Sequence, residues 1–101
     1  MVARSWKGWT SAEDADEYVD YLGETGVKAL AGTAGNQGVQ VWRRIAGDRC
    51  EFVVVSLWES REAIRAFAGE DIERAVFYPK DERYLVEREL TCTHYEVAAN
   101  A

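Results

Sequence analysis

Cys50-Glu51-Phe52-Val53-Val54-Val55-Ser56-Leu57-Trp58-Glu59-Ser60-Arg61-Glu62-Ala63-Ile64-Arg65-Ala66-Phe67-Ala68-Gly69 decides the architecture. The run Cys50 to Trp58 reads as a strand with Phe52-Val53-Val54-Val55 as its apolar centre. Apolar residues on both alternating sets mean a sheet covered on both faces. Ser60 then reads as a helix N-cap, Ala63, Ile64 and Phe67 recur at helical spacing, and Gly69 reads as the stop. Just upstream, residues 38–45 form another strand, and Ala46-Gly47-Asp48-Arg49 is a turn short enough to make the two a hairpin.

Working outward, residues 2–9 alternate as a first strand, with Val2, Arg4 and Trp6 on one face and Ala3, Ser5, Lys7 and Trp9 on the other. Thr10-Ser11-Ala12-Glu13 reads as a capping box, with Thr10 as N-cap. A helix follows, with Ala15, Tyr18, Val19 and Leu22 on one face. Gly23 and Gly26 weaken its continuation, and Ala29 and Leu30 restore a turn or two. Beyond Gly69, the spacing of Ile72, Ala75 and Val76 predicts a short helix that ends before Pro79. Residues 80–83 read as polar loop, and 90–97 as the last strand. The order is β-α-β-β-α-β, the ferredoxin-like α+β unit: an antiparallel sheet of four strands with two helices on one face. The other face keeps apolar residues that two helices cannot cover. A second copy, sheet against sheet, is the expected cover, so a homodimer is predicted.

The chain of 101 residues is expected to be one domain, 1–101. Twelve basic against eighteen acidic side chains give a formal charge of −6, which speaks against nucleic-acid and anionic-membrane partners. No apolar run is long enough to span a bilayer, and residues 1–8 lack the apolar core of a signal peptide. Cys50 and Cys92, the only cysteines, read as reduced thiols of a cytoplasmic protein. With His94 the sole histidine and Cys92 two residues away on one strand, neither a metal site nor a cofactor is expected.

The segment Phe52 to Ser60 running into Glu62 to Gly69 is followed by Asp71-Ile72, Ala75-Val76, Tyr78-Pro79 and the terminal His94-Tyr95-Glu96-Val97. Together they resemble the antibiotic biosynthesis monooxygenase-like family of the dimeric α+β barrel superfamily. The Trp-Glu-Ser turn into the second helix carries most of the likeness. The resemblance implies a homodimer with a small-molecule pocket between sheet and helices in each subunit. Its enzymes include cofactor-independent oxygenases that turn phenolic substrates into quinones, heme-degrading enzymes and small-molecule isomerases. The heme-degrading members use an asparagine on strand one, a tryptophan late in helix two and a histidine just after it. Here strand one has no asparagine, Phe67 stands at the tryptophan position, and residues 71–76 hold no histidine. Heme degradation is therefore disfavoured.

Oxygenation without metal or flavin requires an electron-rich substrate, such as a phenol deprotonated in a dry pocket. The site needs a base, a donor for the oxyanion and aromatic walls. His94 is the base candidate, since its ordinary pKa lies near neutrality, set against the plainer and preferred reading of a structural hydrogen bond in the last strand. Arg43 and Arg44 point to opposite faces of the second strand, and one of them, or Arg4 on the first, is the candidate oxyanion donor; alternation does not say which. Trp58 is the candidate pocket wall for a flat substrate and also packs helix on sheet. Tyr78 and Tyr18 are pocket hydroxyl candidates, Tyr18 also fitting the core; Cys92 reads as a small core residue. The reading is a cofactor-independent monooxygenase acting on a phenolic or quinone-like small molecule. The alternative is a non-catalytic small-molecule-binding or stress-associated dimer of the same fold.

Overall fold

The computed structural model describes residues 1–101. Strand β1 (Val2–Ser11) leads into one helical run: a 3-10 turn (Ala12–Asp14), α1 (Ala15–Leu22), a π turn (Gly23–Val27) and α2 (Lys28–Ala31). The hairpin β2 (Asn36–Ala46) and β3 (Arg49–Trp58) follows, then α3 (Arg61–Ala68), the one-turn α4 (Asp81–Tyr84), β4 (Leu85–Arg88) and β5 (Thr93–Glu96). All pairings are antiparallel, in the order β2-β3-β1-β4, with β5 also on β1. This is the ferredoxin-like sheet with its fourth strand in two pieces.

Register fixes the faces. Val2, Arg4, Trp6 and Gly8 lie opposite Trp58, Ser56, Val54 and Phe52. These residues face the helices, because Phe52 and Trp58 are fully buried in the two core clusters the helices close. One cluster joins Tyr18 and Leu22 of α1 to Phe52 and Tyr84; the other joins Leu30 to Trp58 and Ile64. Val54 packs against both. The opposite face carries Val53, Val55 and Leu57, half-buried, and Trp42 and Tyr95, exposed.

Four local expectations need correction. The N-cap of the first helical run is Ser11, whose Oγ accepts from Asp14 N at 3.3 Å; Thr10 stays in the strand, and its hydroxyl donates to Ser11 O. The helix expected over Ile72 to Val76 does not form. Arg4 takes the carbonyls of Ile72 and Arg74, and Arg74 bridges Thr91, so these backbone groups are committed elsewhere. A loop is expected over residues 80–83, but Asp81–Tyr84 make a helical turn, and Asp81 is buried. The last strand begins earlier than expected and is interrupted at 89–92, where Leu90 O and Cys92 N pair with the 73–75 segment instead of β1. Ser60 caps α3 as its sequence indicates, accepting from Ala63 N at 3.2 Å, and Gly69 ends it at φ 88°, a conformation glycine adopts without steric cost.

Candidate functional site

Between the two core clusters a cleft opens, floored by the sheet and roofed by the helical run and residues 75–78. Counted out to its open mouth it measures about 520 Å³. Its roof stripe is Tyr18, Leu22, Gly26 and Leu30, spaced by four. An ordinary helix turns about 100° per residue, so Leu30 would sit about 120° away from Tyr18. The π turn over Gly23–Val27 absorbs about one residue and returns Leu30 to the same face. Trp6 supplies part of the floor. Its ring lies over Gly8, where an added Cβ would fall 2.4 Å from the ring, and its Nε1–H donates to Glu89 O at 2.7 Å.

Arg4 is the cation of the cleft. It is 4% exposed and has no carboxylate partner. Its Nη1 donates to Ile72 O and to His94 Nε2 at 3.1 Å, and its Nη2 donates to Arg74 O at 3.1 Å. A guanidinium has five N–H bonds, so the Nε–H and one Nη2–H remain without a protein acceptor. Burial lowers the Arg4 pKa, which an adjacent anion would restore.

His94 does not line the cleft; it sits behind Arg4. Desolvation first, then the charges of Arg4 and Arg61, lower its pKa to about 4, so the ring is neutral at pH 7. As acceptor from Arg4, Nε2 is unprotonated and the proton is on Nδ1. Trp58 does not line the cleft either. It is fully buried, and its Nε1–H donates to Ser56 Oγ at 2.8 Å; Ser56 is the lining residue. Tyr78 lines the cleft, and burial pushes its hydroxyl pKa up. Arg43 and Arg44 are outside it. Arg43 pairs with Asp16 at 2.7 Å at the edge of the helix-facing side, and Arg44 pairs with Glu51 at 3.1 Å on the opposite face. Both are exposed. Of the predicted site residues the structure therefore brings Arg4 and Tyr78 to the cleft, with His94 and Trp58 behind its wall.

Sequence reasoning missed Asp81 in the site altogether and favoured a core role for Tyr18. Tyr18 Oη–H donates to Asp81 Oδ1 at 2.8 Å, and Tyr78 N–H donates to Asp81 Oδ2 at 2.7 Å. The signal was local and faint: an aspartate three residues after Tyr78 whose carboxylate accepts from that residue's backbone N–H. Cys92 also lines the cleft, its thiol pKa raised by burial and partly offset by Arg4.

The antibiotic biosynthesis monooxygenase family model matches residues 1–76. No curated protein matches the chain. Among solved structures, a Bacillus cereus protein described as a candidate antibiotic biosynthesis monooxygenase superposes with TM-score 0.71 at 17% identity, covering 100% of this chain and 94% of that one. A candidate enzyme of the same description from Deinococcus radiodurans gives 0.67 at 16%, covering 100% and 96%. The heme-degrader MhuD of Mycobacterium tuberculosis, solved with two hemes bound, gives 0.66 at 21%, covering 100% and 99%. The cleft offers heme neither a histidine nor a thiolate ligand: the sole histidine lies behind its wall, and Cys92 is held toward the protonated thiol. These likenesses show the shared fold, and the match over residues 1–76 shows the lineage: the chain belongs to the antibiotic biosynthesis monooxygenase family.

Proposed function

We propose that the protein is a cofactor-independent monooxygenase that holds a small phenol in this cleft as its phenolate. The observation that carries the reading is Arg4, a buried guanidinium with two free N–H bonds, no acidic partner and apolar surroundings. Such a donor lowers the pKa of a bound phenol and stabilises its oxyanion more strongly than in water. The phenolate is then electron-rich enough to reduce dioxygen. A phenol with a free para position plus O₂ gives a para-quinone plus water: one oxygen atom enters the ring, the other leaves in water, and the substrate supplies all the electrons. His94 positions Arg4; it is not in reach of the ligand.

The working form is a homodimer in which the Val53, Val55, Leu57, Trp42 and Tyr95 face meets its equal. Two free, buried thiols, Cys50 and Cys92, suit a cytoplasmic setting, and no helix is long and apolar enough to cross a membrane. The second reading, a dimer that binds phenols without oxidising them, is favoured by one observation: the sole imidazole, His94, has its Nε2 occupied by Arg4. Oxygen uptake separates the two. With a panel of naphthols, hydroquinones and anthrones, the wild type consumes oxygen in step with quinone formation and Arg4→Gln loses at least about 10²-fold in rate, the scale of losing one oxyanion donor. Binding without uptake across the panel supports the second reading.

A further inference from the structure

The cleft holds a second buried charge that the reading above does not use. Asp81 is 4% exposed, lines the cleft and takes part in no ion pair. Each of its oxygens accepts one hydrogen bond from the protein, from Tyr18 Oη–H and from Tyr78 N–H. A carboxylate has about four acceptor positions, so roughly two stay open. Arg4 and Asp81 are thus opposite charges, each buried, each without an ionic partner, in the wall of one cleft.

They do not serve the same atom. Arg4 stands opposite Ser56 on β3, whereas the ring of Tyr18, which holds Asp81, packs on Phe52 at 5.1 Å, and Phe52 stands opposite Gly8. Four residues of strand separate the two levels, about 13 Å at roughly 3.3 Å per residue. Val54 and Trp6 fill the interval with apolar surface. The cleft is therefore polar at both ends and apolar between, with a donor end at Arg4 and an acceptor end at Asp81.

We infer that Asp81 is the second anchor of the ligand site, and that the ligand is an arene oxygenated at both ends: one oxygen faces Arg4 as phenolate, and a hydroxyl at the far end donates to the Asp81 carboxylate. This rests on the phenol-binding reading and narrows its substrate class to dihydroxyarenes. An arene with an ether at the far end leaves the buried carboxylate without its donor, and such a mismatch is strongly disfavoured.

Calorimetric titration with 2,6-dihydroxynaphthalene and with 6-methoxy-2-naphthol tests this. The wild type binds the diol about tenfold or more tighter, the scale of a hydrogen bond to a charged acceptor. Asp81→Asn, checked for native far-UV dichroism, brings the ratio close to one. Tyr18→Phe, which keeps the ring packing and the carboxylate, retains the preference and serves if Asp81→Asn does not fold. Arg4→Gln weakens both probes and leaves their ratio alone. A wild-type ratio near one, a ratio that survives Asp81→Asn, or one that vanishes in Tyr18→Phe overturns the Asp81 assignment while leaving the phenol-binding reading standing. Unchanged affinities in Arg4→Gln overturn that reading alone, and failure of both probes to bind the wild type overturns both.

Discussion

Arg4 Nη1 lies 3.1 Å from His94 Nε2, and the two residues are direct partners in the register between β1 and β5. The contact makes the histidine an acceptor and ties the cation of the cleft to the last strand. It also explains why the one imidazole of the chain is not poised near neutrality: Arg4 and Arg61 both oppose its protonation, after burial itself.

This sets a pH dependence of stability. The folded-state pKa of His94 is depressed to about 4 from an ordinary 6.5. The unfolded chain therefore binds a proton that the folded chain refuses as pH falls through that interval, and stability drops with it. Urea midpoints measured from pH 7 to 4 should fall more steeply for the wild type than for His94→Gln, which keeps an acceptor for Arg4 but does not titrate. Parallel profiles would show that the folded state does not hold the imidazole neutral.

Arg4→Lys should fail to replace the arginine. A lysine lacks the fork that reaches Ile72 O, Arg74 O and His94 Nε2 together. We expect a loss of roughly 1–3 kcal/mol, the scale of hydrogen bonds to a charged group. Hydrogen exchange at residues 72–76 should accelerate more than in the strands. Wild-type exchange there would show that Arg4 does not hold this segment.

Gly26→Ala should separate stability from binding. The new Cβ sits 3.7 Å from Tyr78 Cε2, an ordinary contact, and points into the cleft. Alanine in a helical segment gains up to about 1 kcal/mol over glycine. Thermal unfolding should therefore hold or rise while affinity for a two-ring phenol falls several-fold. Undiminished affinity would place the ligand elsewhere.

Leu57→Asp should leave the protomer folded and break the dimer, because Leu57 lies on the sheet face that carries no helix. Ile64→Ala, a fully buried change, should instead cost about 2–5 kcal/mol. Sedimentation velocity at micromolar concentration distinguishes them: dimer for the wild type, monomer for Leu57→Asp. A monomeric wild type ends the dimer reading.

The parts of the fold legible in the sequence were those set by periodicity and caps. The alternation of Phe52 to Trp58, the cap at Ser60 and the stop at Gly69 each name their element locally. The segment 70–92 was not legible, because its conformation depends on partners far along the chain: Arg4 on the carbonyls of Ile72 and Arg74, Thr91 on Arg74, Tyr18 on Asp81. The same holds for the site. Arg4, Arg43 and Arg44 are alike as residue types on strands, and only the register, with the helices on one face, separates the buried one from two surface ion pairs. An aspartate in a polar stretch gives no sign that a tyrosine 63 positions away will bury it.

The most direct test of the oxyanion site uses a phenol that reports its own ionisation. 4-Nitrophenol absorbs visible light as phenolate, so its titration when bound reads the field at Arg4. With the cleft saturated, the apparent pKa of the bound dye should lie lower in the wild type than in Arg4→Gln, with more phenolate colour at pH 6. Equal pKa values in the two proteins, or a higher one in the wild type, would contradict the assignment of Arg4 as the group that holds the oxyanion.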